Sequence, residues 1–253
     1  MPIVLRDRAS PNHDERRFGP PDMLVLHYTG MTSAAAAVDR LCDPVARVSS
    51  HYVVEEDGTI WRLVPEERRA WHAGDSGWRG RRDINAYSIG IEIVNPGHEF
   101  GYRPFPGVQI AAVEELCRDI MGRWTVPPRN VVGHSDVAPH RKQDPGELFP
   151  WQRLARAGIG LWPDFSRPTE PPATIADIQA ALAVYGYDVP VSGTLDERTV
   201  QVLIAFQRHF RPQRVDGVCD ASTRKTLEDL LAHRGRPKNI AARARALERL
   251  VAS

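Results

Sequence analysis

One segment constrains how this chain folds more than any other. Residues 163–174, PDFSRPTEPPAT, carry Pro163, Pro168, Pro171 and Pro172 among polar residues, with no apolar period. Proline fixes φ and removes a backbone donor, so this run reads as a stiff, extended linker rather than a helix or a central strand. It separates a mixed-character stretch, 1–162, from a helical one, 175–235, and a basic segment, 236–253, closes the chain. Two domains are therefore expected rather than one.

Charge and composition narrow the class. Lys+Arg number 33 and Asp+Glu 32, a net charge of +1, which lacks the basic excess of a nucleic-acid-binding protein. Hydrophobic residues at 42% provide the apolar mass for a core and exclude wholesale disorder. The longest apolar stretches, such as Met23–Leu26 and Val202–Phe206, fall far short of the roughly 18–20 residues of a membrane span, so none is expected. Arg6, Asp7 and Arg8 interrupt the start of the chain before an apolar secretory core forms. Cys42, Cys117 and Cys219 are odd in number and far apart, against a disulfide scaffold or a cysteine-rich zinc site. These features together point to a cytoplasmic protein, with a periplasmic or cell-wall location as the alternative.

In the first stretch, MLVLHY (23–28), HYVVEEDGTIWRLV (51–64), SIGIEIV (88–94) and NVVGH (130–134) are alternating or β-branched runs and predict strands. Asp57-Gly58 is a hairpin signal. Helices are predicted over 33–42 and 107–123, the latter from Val108, Ala111, Ala112, Leu116 and Ile120. The fold class is thus α/β (α+β), a mixed central sheet flanked by helices, with a small all-α domain of three helices behind it. That second domain carries a weak duplication: Val191 to Thr199 is echoed by Val215 to Thr223, each with a Gly turn and then an Asp suited to cap a helix. The final basic segment reads as an amphipathic helix, either a solvated or packing helix or a partner site.

Seven of nine histidines precede residue 165, so histidine chemistry belongs to the first domain. His27 ends the apolar run MLVL where a turn begins, and His134 follows Val131-Val132-Gly133 in the same way. Strand ends are where α/β proteins place ligands. Asp144 lies ten residues beyond His134, in the turn-prone RKQDPG. Two imidazoles and a carboxylate, with a fourth position open, are the donor set of a catalytic zinc site. Taken singly, each has an ordinary role in a strand end or a turn, and the 107 residues between the histidines leave their meeting open. In SIGIEIV, Ile89, Ile91 and Ile93 share one face, and Glu92 shares the other with Ser88 and Gly90. Such an acid sits either on a solvated face or in a cleft. Lys142 is either a surface cation or one that opposes an oxyanion. Trp71 and His72 form either a cleft wall or a packed pair.

LHYTG (26–30), SSHYVVEEDGTI (49–60), RAWHAG (69–74), INAYSIGIEIVNPG (84–97) and VGHSDVAPHRKQDPG (132–146) stand in the order found in the AmpD-like zinc-dependent N-acetylmuramoyl-L-alanine amidases. Over about residues 10–155 the chain resembles that family. The resemblance implies one Zn2+ per chain on His27, His134 and Asp144, with Glu92 as the catalytic carboxylate and Lys142 as the cation beside the third ligand. His51, Trp71, His72 and Asn85 match positions near the family's cleft and are carried over as substrate-binding. The implied substrate is a muropeptide or peptidoglycan, cut between N-acetylmuramic acid and L-alanine; together with the charged residues that interrupt the start of the chain, it leads to the expectation of soluble muropeptides in cell-wall recycling. IQAALAVYGY (178–187), VSGTLDERT (191–199), AFQRHF (205–210) and VDGVCDAST (215–223) resemble the three-helix peptidoglycan-binding module. Two other readings compete: an exported or phage-type amidase acting on intact wall, and a non-catalytic peptidoglycan-recognition protein.

Overall fold

Short β-branched runs alternate with helices along the first 160 or so residues, and the structure, a computed structural model, describes residues 5–165 and 173–232. The middle of the proline-rich segment and the predicted helix at 236–253 lie outside the described residues. In chain order the elements are β1 (Leu5–Asp7), β2 (His13–Glu15), β3 (Met23–Tyr28), α1 (Ala34–Cys42), β4 (Tyr52–Val54), β5 (Ile60–Arg62), β6 (Arg68–Ala70), β7 (Gly77–Trp78), β8 (Arg81–Arg82) and β9 (Ser88–Ile93). Then follow α2 (Gly97–Phe100), α3 (Gly107–Trp124), β10 (Val131–Gly133), α4 (His134–Val137), α5 (Trp151–Arg156), α6 (Ile175–Tyr185), α7 (Glu197–Phe210) and α8 (Ala221–Ala232).

The chain divides into two units. The first comprises Met1–Gly74, Asp83–His134 and Asp144–Leu161, and the second Asp75–Arg82, Ser135–Gln143 and Trp162–Ser253. Two short stretches ahead of the proline-rich segment, 75–82 and 135–143, thus group with the C-terminal helices.

The first unit holds a mixed sheet in the order β1-β5-β4-β9-β3-β10. Only β4 and β5 run antiparallel, joined at the Asp57-Gly58 turn, where Gly58 adopts φ +90° and Asp57 Oδ1 accepts the Thr59 N–H at 2.8 Å. β4, β9, β3 and β10 are parallel neighbours. Parallel strands are covered on both faces. Accordingly Met23–Leu26 and Ile89, Ile91 and Ile93 are all buried. α1 begins at Ser33, whose hydroxyl accepts the Ala36 N–H, and packs Val38 and Leu41 against Val53, Leu63 and Val94.

α3 forms where the periodicity predicts it, but its buried stripe is different. Ile110, Val113, Leu116, Cys117 and Ile120 face inward, whereas Val108 is 44% exposed and Ala111 lies outside. Steps of three and four residues from Ile110 keep one face toward the sheet, and Val108 and Ala111 fall off that face.

In the second unit α6, α7 and α8 are the three expected helices. Both Asp caps form: Asp196 Oδ1 accepts the Thr199 N–H at 2.8 Å and Asp220 Oδ1 the Thr223 N–H at 2.9 Å. The duplication runs deeper than the turn. Gln179 accepts the Gly193 N–H and donates to Thr199, and Gln207 accepts the Gly217 N–H and donates to Thr223. Asp136, at 1% exposure, accepts the Tyr187 hydroxyl at 2.6 Å and His209 Nδ1–H at 2.7 Å.

Candidate metal centre and active site

Strand register assembles this site. His27 is the fifth residue of β3 and pairs directly with Glu92 on β9, so the two side chains rise from the same face of the sheet. On the other side of β3, Leu26 pairs with Gly133, which brings His134 to the adjacent strand end as the first residue of α4. Three neighbouring parallel strands therefore deliver Glu92, His27 and His134 at their carboxyl ends, where α/β sheets bind ligands. The turn after α4 returns Asp144 to the same point.

His27 Nδ1 lies 2.9 Å from His134 Nδ1, and each is 3.0 Å from Asp144 Oδ2. All three residues are buried. The protons of both rings are directed away from this triangle. His134 Nε2–H donates to the Ala73 carbonyl at 3.1 Å. For His27 the direction follows from a relay: the Ser88 hydroxyl donates to the Ile84 carbonyl at 2.7 Å, so its oxygen accepts His72 Nε2–H at 3.2 Å. His72 Nδ1 is then an acceptor, and it takes His27 Nε2–H at 3.0 Å. Both Nδ1 lone pairs consequently face the Asp144 carboxylate. Three lone-pair atoms turned toward one point repel unless a cation lies between them.

The donor chemistry fits zinc. Two imidazole nitrogens and one carboxylate oxygen form an open shell of the catalytic type. Their separations approach the ~3.3 Å edge of a tetrahedron whose metal–ligand bonds are ~2.0–2.1 Å. Second partners on each imidazole, His72 on His27 and the Ala73 carbonyl on His134, are what orient metal-binding histidines.

The remaining candidates occupy distinct places. Glu92 is half-buried and pairs with His27, so its side chain rises from the same face of the sheet as that histidine. His72, 9% exposed, is the support of His27, and burial together with His27 and His51 pushes its pKa well below the usual histidine value. Gly90 makes room for it: a Cβ there would lie 2.5 Å from the His72 ring. Asn85 is buried behind it, its Oδ1 accepting the His72 and Ala73 N–H groups at 3.0 and 2.7 Å. His51 is fully enclosed, taking the Gly90 N–H on Nδ1 at 2.9 Å and giving Nε2–H to the Arg68 carbonyl at 3.1 Å. Burial and the neighbouring Arg16 push its pKa down to about 3, so it stays neutral. Trp71 donates Nε1–H to Asp14 at 2.7 Å. Lys142 is half-buried two residues before Asp144, its backbone N–H bonded to the Ala138 carbonyl.

Two contributors carry no signal in the sequence. Ser88 looks like an ordinary strand residue, yet its hydroxyl sets the direction of the relay. Arg16 donates to the carbonyls of Glu66, Asn85, Ala86 and Ser88 and so fixes the backbone that carries Asn85 and Ser88. Burial pushes its pKa down to about 10.

Comparison with known proteins identifies the family. Residues 17–147 match the family model for N-acetylmuramoyl-L-alanine amidase, and residues 172–227 match one for a peptidoglycan binding domain. The chain is similar to the N-acetylmuramoyl-L-alanine amidase AmiD of Escherichia coli (strain K12), with 42% identity over 236 residues, 84% of this chain and 83% of the relative. Its structure is similar to that of Escherichia coli AmiD in complex with the substrate anhydro-N-acetylmuramic acid-L-Ala-D-γ-Glu-L-Lys, with a TM-score of 0.75 and 40% identity, covering 91% of this chain and 94% of that one. It is also similar to AmpDh3 from Pseudomonas aeruginosa in complex with an anhydromuramic pentapeptide, with a TM-score of 0.75 and 38% identity, covering 90% and 96%.

Proposed function

Since the chain belongs to the N-acetylmuramoyl-L-alanine amidase family, we propose that it hydrolyses the amide between anhydro-N-acetylmuramic acid and L-alanine in muropeptides, as a step of peptidoglycan recycling. The observation that carries this reading is the convergence of His27 Nδ1, His134 Nδ1 and Asp144 Oδ2 beside Glu92 on one face of the sheet. The substrates held by Escherichia coli AmiD and by AmpDh3 carry an anhydro sugar, and this supports the substrate class.

His27, His134 and Asp144 would hold one zinc ion. Bound there, zinc supplies a water acidified toward neutral pH and a Lewis acid for the scissile carbonyl. Glu92, half-buried beside His27, takes the proton of the attacking water and delivers it to the departing L-alanine amine. General acid–base help of this kind typically contributes ~10²–10⁴ in rate. Lys142 opposes the charge that develops on the carbonyl oxygen, where losing one comparable donor costs ~10²–10³ in turnover. His72 and the Ala73 carbonyl keep the two ring protons off the ligand atoms.

Incubation with anhydro-N-acetylmuramyl tetrapeptide, followed by mass spectrometry, should yield the free sugar acid and a peptide with an L-alanine N-terminus. Intact substrate, or cleavage elsewhere, would contradict the reading. Glu92→Gln should keep its zinc and lose at least a hundredfold in turnover, within the ~10²–10⁴ range of acid–base help. Near wild-type turnover in that variant removes Glu92 from its role.

The match of residues 172–227 to a peptidoglycan-binding domain favours a second reading, in which the substrate is intact cell wall. Faster release of stem peptides from sacculi than from soluble muropeptides would select it. The cytoplasmic location goes with the first reading. Cell fractionation that finds the native protein in the envelope would overturn the location and leave the chemistry in place.

A further inference from the structure

A second cluster in the first unit joins two ligand-bearing segments from outside the metal triangle. Tyr28 directly follows His27, and its hydroxyl is 3.0 Å from His98 Nδ1. His98 Nε2 lies 3.1 and 3.2 Å from the two carboxylate oxygens of Glu147. With Nε2–H given to Glu147, Nδ1 accepts the Tyr28 hydroxyl. Tyr102 stacks on His98, with ring centroids 4.3 Å apart. Its hydroxyl donates to the Pro145 carbonyl at 2.8 Å and accepts the Leu148 N–H at 2.9 Å. That one oxygen therefore spans the turn that starts at Asp144.

Two glycines make the packing possible. Gly146 has φ +84°, and a Cβ on it would fall 2.2 Å from the Tyr102 hydroxyl. At Gly97, with φ +70°, a Cβ would fall 2.6 Å from the Tyr28 ring. Both rings lie directly on bare backbone. Four side chains thus connect the end of β3, the residues of and just after α2, and the turn from Asp144 to Leu148. The metal triangle makes no use of any of them.

We propose that Tyr28, His98, Tyr102 and Glu147 form a strap that presets the Asp144 turn against His27, with Tyr102 as the positioning residue for the third metal ligand. The inference rests on the reading of His27, His134 and Asp144 as the ligand set. A strap of this kind lowers the cost of organising the site when metal arrives, because the carboxylate is already in place. Losing such an outer partner typically weakens metal binding by ~10–100-fold.

Tyr102→Phe removes only the hydroxyl and keeps the ring. In the full-length, metal-free protein, zinc affinity measured by competition with a chromophoric chelator should fall by about 10–100-fold. The cobalt-loaded variant should show a shifted visible absorption band, because Asp144 no longer sits where it did. The thermal midpoint of the metal-free protein should move by no more than ~8 °C, the effect of two ordinary hydrogen bonds in a chain of this size. Gly146→Ala, which pushes the Tyr102 ring off the turn, should weaken zinc in the same direction. Unchanged zinc affinity and cobalt spectrum in Tyr102→Phe would overturn the proposal, as would a weakening that appears only with collapse of the metal-free fold. Asp144→Ala separates the two levels. If it binds zinc as the wild type does, the ligand reading fails and the strap with it. If it loses zinc while Tyr102→Phe does not, the strap alone fails.

Discussion

In the first unit, His27, His134 and Asp144 bring two imidazole nitrogens and a carboxylate oxygen within 3.0 Å of one another. In the second, Asp136 receives His209 Nδ1–H on one oxygen and the Tyr187 hydroxyl on the other. Both groups are buried, and both pair imidazole with carboxylate. The difference lies in where the protons point. Around Asp136 they point inward, so donors meet acceptors and the group is closed. Burial, reinforced by Asp136, pushes the Tyr187 hydroxyl pKa well above its usual value, and it remains a donor. Around Asp144 the ring protons point outward, to His72 and to the Ala73 carbonyl, and the lone pairs are left facing one another. A histidine–carboxylate cluster is thus a structural clamp or a metal site according to its second hydrogen bonds, not its composition.

Breaking the closed group tests one half of this contrast. His209→Ala takes a hydrogen-bond donor from the buried Asp136 carboxylate, and a bond to a charged group is worth about 1.5–3 kcal/mol. Chemical denaturation should show that loss, and the folded fraction should still bind one zinc per chain. Loss of zinc from protein that remains folded would erase the distinction between the two groups. A smaller effect is expected from loosening the open group. His72→Ala removes the acceptor of His27 Nε2–H, and zinc affinity should fall ~10–100-fold by chelator competition, as for other outer partners of metal-binding histidines. Unchanged affinity would mean that the relay from Ser88 does not set the His27 tautomer.

Much of this was legible before the structure. The strand-end context of His27 and His134 and the turn around Asp144 singled out those residues, and the ordered motifs named the family. The 107 residues between the histidines left their meeting open, because proximity across a sheet is set by register, which local pattern does not encode. Register also puts Glu92 on the same face of the sheet as His27, a neighbourhood that the pattern of its own strand does not encode. The strands missed at the sequence level, β1, β2 and β6 to β8, are two or three residues long, too short for any period to emerge. The supporting groups escape for another reason. Ser88, Arg16 and Tyr102 act through the direction of a hydroxyl, through contacts to backbone carbonyls, or across a turn more than forty residues away in sequence. The same holds for Gln179 and Gln207, whose shared role in the duplicated turns appears only once each is seen bonding a glycine N–H.

The claim on which the rest depends is that His27, His134 and Asp144 hold the metal. Elemental analysis of the purified full-length chain beside His27→Ala tests it most directly. The account predicts one zinc per wild-type chain and none in the variant, with the variant still folded by circular dichroism. A folded His27→Ala protein that retains one zinc per chain would contradict it.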